Sequence, residues 1–199
     1  RALGYPAKNI VFLSGAEATG SRIKSYFETW LPENVKPGST VFVYFAGHGT
    51  PDVATQETYL LPWDGDPEFL ADTGYPLARA YAALDSLPAR RVIVAVDSAF
   101  SGAGGRSVLA KGARPLLTKT AGETALPKKL TLLSASGARE TAWTDERQGH
   151  GLFTYYLLQG LNESAGKDTV GQLFEYLRPK VERLARAQNH SQGPLLSKG

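Results

Sequence analysis

Four short runs constrain the fold of this chain most: Asn9–Leu13 (NIVFL), Thr40–Ala46 (TVFVYFA), Arg91–Asp97 (RVIVAVD) and Lys129–Ala135 (KLTLLSA). Each is rich in Val, Ile, Leu or Phe and lacks the strict polar/apolar alternation of a strand with one wet face. Such runs predict strands covered on both sides, as in a parallel sheet. Between them the apolar residues recur at helical spacing. Ile23, Phe27, Trp30 and Leu31 form one stripe, and Leu77, Tyr81 and Leu84 form another after Pro76, a favoured first-turn residue. Gly151–Leu161 reads as a greasier helix. Val170, Leu173, Phe174, Leu177, Val181 and Leu184 make the longest stripe, with Thr169 as its N-cap and Pro179 as a potential kink. Strand and helix alternate, which predicts an α/β fold with a mainly parallel, doubly wound sheet flanked by helices on both faces.

The bulk numbers narrow the function classes. A chain of 199 residues supports one domain with a core that needs no staples. Its 22 basic and 19 acidic residues are dispersed, without the Lys/Arg stripe that would predict a nucleic-acid partner. No stretch approaches the roughly 20 apolar residues of a membrane span. With no cysteine there is no disulfide, thiolate metal site or thiol nucleophile. The chain has no methionine, opens with Arg1 and shows no apolar signal segment, the pattern of a trimmed, processed or excised, N-terminally truncated piece whose targeting signal can lie upstream; a cytoplasmic location is the expectation.

Two irregular stretches interrupt the alternation: Thr50–Tyr75, and residues 98–128 with their glycines and Arg106, Lys111 and Arg114. Loops of that length in a compact domain are commonly functional. In an open α/β sheet, ligands bind at the carboxyl ends of the strands. One strand-end reads Tyr44-Phe45-Ala46-Gly47-His48-Gly49, a histidine between two glycines that let the backbone turn. Another reads Asp97-Ser98-Ala99-Phe100-Ser101-Gly102, an acid followed by small residues.

These two boxes, about fifty residues apart, resemble the paired histidine and cysteine boxes of the caspase/metacaspase family of cysteine peptidases. The likeness extends to the YLLPWD run at Tyr59–Asp64, the LSAS strand-end at Leu133–Ser136, the helix from His150 and the QGP turn at Gln192–Pro194. The resemblance implies a single caspase-like domain over residues 1–199 that lacks the family's first strand, with residues 98–128 as a flexible processing loop. It makes His48 the catalytic base, Ala99 the nucleophile position emptied of its cysteine, and the backbone N–H groups of Gly49 and Ala99 the oxyanion donors. The resemblance also implies that Asp97, with Ser134, binds an arginine or lysine side chain before the cut, and that Arg106, Lys111 and Arg114 are self-processing points. Peptides or proteins would be the substrates, and a separate N-terminal fragment would complete the sheet. The dyad requires no cofactor, although Asp64 and Asp66 offer oxygens to a calcium ion of the kind some metacaspases bind.

Other readings stay open. Asp97 could simply cap its turn, and the loop cations could be solvated charges. Ala99 makes a natural peptide-binding relative without catalysis an alternative to a Cys→Ala substitution. Ser98 or Ser101 as a hydrolase nucleophile lacks the G-x-S-x-G elbow. Gly102–Ser107 (GAGGRS) fits neither nucleotide-binding glycine motif.

Overall fold

The computed structural model describes residues 3–52, 54–55, 57–98, 126–137, 140–145 and 149–199. The main sheet contains β1 (Thr40–Ala46), β5 (Arg91–Asp97), β6 (Leu130–Ser134) and β9 (Leu195–Lys198) in the order β1-β5-β6-β9. The β1–β5 and β5–β6 pairs are parallel and β6–β9 is antiparallel. A small antiparallel sheet of β2 (His48–Pro51), β3 (Thr58–Leu61) and β4 (Tyr75–Pro76) continues directly from β1, and β7 (Thr144–Asp145) pairs with β8 (His150–Gly151).

The period of two in a strand divides the apolar runs between two cores. Val41, Val43 and Phe45 of β1 pack on the same side as Val92, Val94 and Val96 of β5 and Leu130 and Leu132 of β6. Phe42, Ala95 and Leu133 join the core on the opposite side. The first core is closed by α4 (Leu77–Ser86), through Leu77, Ala80, Tyr81 and Leu84, and by the N-terminal helix. The second is closed by α5 (Leu152–Glu163) and α6 (Val170–Ala187), through Phe153, Leu157, Leu177 and Val181. Helices therefore cover both faces, and the doubly wound α/β expectation holds.

Local chemistry sets the helix ends. Thr169 Oγ1 accepts from Gln172 N while Gln172 Oε1 accepts from Thr169 N, a capping box that starts α6 where the stripe begins. The helix then runs through Pro179 to Ala187. The N-terminal helix is α1 (Gly20–Ser25), a widened π turn over Tyr26–Trp30, and α2 (Leu31–Asn34), whose Pro32 has no N–H for the preceding turn. A single short turn, α3 (Leu70–Thr73), precedes β4. At Gly160 a Cβ would lie 2.6 Å from Leu173 Cδ1, so only glycine allows α5 and α6 to approach this closely.

The run Asn9–Leu13 departs from expectation. Ala7–Asn9 forms a 3-10 turn, and residues 10–14 make no strand pairing. Ile10 is extended, but neither it nor its neighbours meets a strand, so Ile10, Val11 and Phe12 stay exposed, Phe12 by 80%. β1 is an edge strand among the described residues, its start held by Tyr5 Oη donating to Thr40 O at 3.1 Å. An apolar run becomes a strand only where a neighbour satisfies its backbone.

Candidate active site

Parallel pairing brings the two boxes together. Ala46 is in register with Asp97, and Gly47 N donates to Asp97 O at 3.4 Å. His48 follows at once, opening β2 opposite Leu61 with its side chain exposed. Gly49, opposite Leu60, is buried. A Cβ on Gly47 would meet Phe45 Cζ at 2.9 Å, so the glycine makes room for the Phe45 ring under the histidine turn.

Asp97 has no exposed surface, and one of its carboxylate oxygens accepts the hydroxyl of Thr154 in α5. Thr154 Oγ1 also lies 2.6 Å from Tyr44 Oη. A threonine hydroxyl has one proton and gives it to the carboxylate, so the tyrosine must donate to the threonine. The resulting relay, Tyr44 to Thr154 to Asp97, links β1, α5 and β5 directly beneath the strand ends. Both hydroxyls escaped the sequence reading, although a threonine within the apolar GLFTYYLL stretch was the signal available. Buried hydroxyls on apolar faces have a partner somewhere in the fold.

Ser134, in register with Val96, is also buried, and its hydroxyl donates to Ser136 O at 3.4 Å. Ser98 is 2% exposed, and its Oγ has no hydrogen-bond partner among the described residues, the His48 imidazole included. Ser98 is therefore not hydrogen-bonded to that base. Ala99, Ser101, Arg106, Lys111 and Arg114 lie outside the described residues.

Asp64 and Asp66 are occupied as caps: Gly20 N donates to Asp64 Oδ1, and Glu68 N to Asp66 Oδ1, each at 2.8 Å. Among the described residues no group of three or more His, Asp or Glu side chains could hold a metal. Calcium takes six to eight oxygens, so this pair alone does not make its cage.

The wall beyond β6 is tied to the turn before β9. Glu140 accepts from Gly137 N, Ser191 Oγ and Gly193 N at 3.1, 2.7 and 2.7 Å. Gln192 accepts from Trp143 N at 2.9 Å and donates to Ala135 O at 3.0 Å. The indole of Trp143 stacks on His190 at 3.4 Å. Glu140 was not foreseen. On the outer side of β1 lies a cavity of about 290 Å³, with Phe45, Gly47 and His48 on one wall and Ile23, Leu61 and Trp63 on the other.

His48 thus stands just beyond the carboxyl end of one parallel strand, beside the end of the next, on an α/β sheet covered by helices. The caspase domain family model (peptidase C14) matches residues 1–198. The chain belongs to the caspase domain family, which comprises cysteine-peptidase-type hydrolases that act on proteins and peptides. No curated protein matches the sequence. Among solved structures it is similar to protein GSU0716 from Geobacter sulfurreducens, with TM-score 0.63 and 15% identity over 96% of this chain and 78% of that one. It is also similar to caspase-1 from Spodoptera frugiperda, with TM-score 0.50 and 12% identity over 90% of this chain and 68% of that one. At such identities the two structures speak for the fold alone. Among the described residues no helix is long and apolar enough to cross a membrane.

Proposed function

We propose that this chain is the scaffold of a Cys-His endopeptidase that cuts after arginine or lysine, held inactive by Ala99 at the nucleophile position. The observation that carries the reading is the junction of Gly47 N with Asp97 O, which sets His48 beside the strand-end that leads to Ala99. A thiol with an ordinary pKa near 8.5 is mostly protonated at neutral pH, so a cysteine there needs a base within reach, and His48 is that base. The oxyanion would be held by the backbone N–H groups of Gly49 and residue 99, donors that an alanine keeps. Because alanine lacks only the sulfur, the groove binds peptide without turnover.

Asp97 supplies the specificity. A buried carboxylate favours a charge-assisted, bidentate partner such as a guanidinium. Its complete burial means that the groove opens at this point when a basic side chain enters, with Ser134 on the neighbouring strand as a flank. Self-cleavage after Arg106, Lys111 or Arg114 follows from the same preference. An N-terminal fragment, bound as a strand along the outer edge of β1, would complete the sheet beside the exposed Ile10–Phe12 run. The second reading, a natural peptide-binding relative, rests on Ala99 alone. It parts from the first when the source gene is read for a cysteine codon at that position.

The test is Ala99→Cys. The variant is expected to hydrolyse peptides with arginine or lysine before the cut and to acquire new termini after one or more of the three loop cations, and adding His48→Ala should abolish both. Activity that survives in the double variant removes the dyad, and a preference for aspartate before the cut removes Asp97 from its role.

A further inference from the structure

We infer that the cavity on the outer side of β1 is an apolar subsite for the leaving-group side of the substrate, with Trp63 and Phe45 setting its preference. The inference rests on His48 acting as the base of the proposed function and adds a second specificity determinant to that site.

Position fixes which part of a peptide reaches the cavity. Asp97 stands on the β5 side of His48, and no residue that lines the cavity belongs to β5 or β6. The cavity is therefore separate from the region around Asp97, and His48 is the residue of the proposed dyad that lines it. In acyl transfer, the histidine that takes the proton from the nucleophile later gives it to the leaving amine. The chain beyond the leaving nitrogen runs away from the residue held by Asp97, past His48 and into this cavity. The occupant is thus the side chain of the first or second residue after the cut.

Chemistry and size fix what that side chain is. Apart from His48, the walls are Phe45, Ile23, Leu61, Pro62, Trp63 and small residues, with no charged group among them. A cavity of about 150 Å³ lined by Leu, Ile and Phe accommodates benzene. At about 290 Å³ this one takes a phenyl, indole or branched aliphatic group with room for its backbone. Trp63 stays 68% exposed at the rim, an apolar surface that an arriving side chain would cover.

The rim is rigid. Trp63 N donates to Ala18 O at 2.9 Å, Gly65 N to Pro62 O at 3.0 Å, and Asp64 Oδ1 holds Gly20 N. A Cβ on Gly65 would lie 2.7 Å from Leu61 Cδ1, so the tight turn that presents the indole requires glycine. The role of Asp64 is to fasten this wall to the start of α1.

The experiment uses the Ala99 protein, which binds without cutting. Three peptides of one sequence, each with arginine before the scissile bond and phenylalanine, glycine or aspartate at both positions after it, are titrated calorimetrically against the protein and against Trp63→Ala. The phenylalanine peptide is expected to bind about 10-fold or more tightly than the glycine peptide, the range that a filled apolar pocket discriminates. Trp63→Ala should remove most of that advantage and leave the glycine peptide unchanged. Because the indole is largely exposed, the variant keeps its fold, which circular dichroism checks. Equal affinity for all three peptides, or a phenylalanine advantage that survives Trp63→Ala, overturns the subsite. If the advantage is present but Ala99→Cys cuts none of the peptides, the apolar pocket stands as a peptide-binding site and its assignment to a leaving-group side falls with the catalytic reading.

Discussion

Asp97 ends β5 and His48 stands two residues beyond the end of the neighbouring parallel strand β1, joined through Gly47, yet His48 is exposed and Asp97 has no exposed surface. The difference comes from the place of each strand in the sheet. β1 lies at the edge among the described residues and turns through Gly47 into a small antiparallel sheet, whose first residue, His48, is exposed. β5 lies between two strands, with a core on each face, and its last residue remains inside. On the proposed roles, the group that exchanges protons sits on the first kind of strand-end and the group that selects a charge on the second, where a low dielectric strengthens its interactions and makes a wrong partner costly.

The buried end should be the fragile one. Thr154→Val keeps the shape of the side chain and removes the hydroxyl that donates to Asp97 and accepts from Tyr44. Loss of a donor to a buried acceptor costs about 1–3 kcal/mol, more for a charged one. Urea unfolding of Thr154→Val should show a loss in that range, with Thr154→Ser recovering most of it. If Thr154→Val is as stable as the parent, the relay beneath the strand ends contributes nothing and the contrast between them is one of exposure alone.

An ion pair of intermediate exposure sharpens the comparison. Glu28 bridges the N-terminal helix to α4: Arg79 reaches both of its oxygens at 2.6 and 2.8 Å, and Tyr75 Oη donates to it at 3.0 Å. Hydrogen bonding from Arg79, opposed by partial burial and helped by Tyr75, holds the Glu28 carboxyl below its ordinary range. A carboxylate whose folded pKa is depressed stabilises the fold above its unfolded pKa, about 4.3, and loses that contribution as pH falls through the folded value. Glu28→Gln should therefore lower Tm at neutral pH, by less than Thr154→Val does, and the difference should close on acidification below pH 4. A gap that persists at low pH would trace the loss to packing rather than charge.

The sheet was legible because its strands are buried on both faces, which makes β1, β5 and β6 continuous apolar runs. The three long helices were legible because each covers one face and keeps a helical stripe. Asn9–Leu13 misled for a physical reason: composition reports how well a residue suits a sheet, whereas a strand also needs a neighbour, and this run has none among the described residues. The positions of His48 and Asp97 in the fold were readable because each stands at, or two residues beyond, the end of an apolar run. Tyr44, Thr154 and Glu140 could not, since each bonds a residue 51 to 110 positions away, and only the closed fold reveals those pairings.

The smallest effect on stability is expected at the exposed end. His48→Ala removes a side chain that projects into solvent and leaves the backbone of β2 and the Gly47–Asp97 bond in place. Surface substitutions away from caps, cores and buried networks usually change stability by no more than about 0.5 kcal/mol. Urea unfolding of His48→Ala in the Ala99 background should fall within that limit, while the same substitution beside Ala99→Cys abolishes turnover. The separation matters because a structural histidine and a catalytic one both lose activity when removed, but only the structural one takes the fold with it. A loss above about 1 kcal/mol for His48→Ala would assign the imidazole to holding the β1–β2 turn over Phe45. Exposure would then no longer distinguish the working end of the sheet from the selecting one.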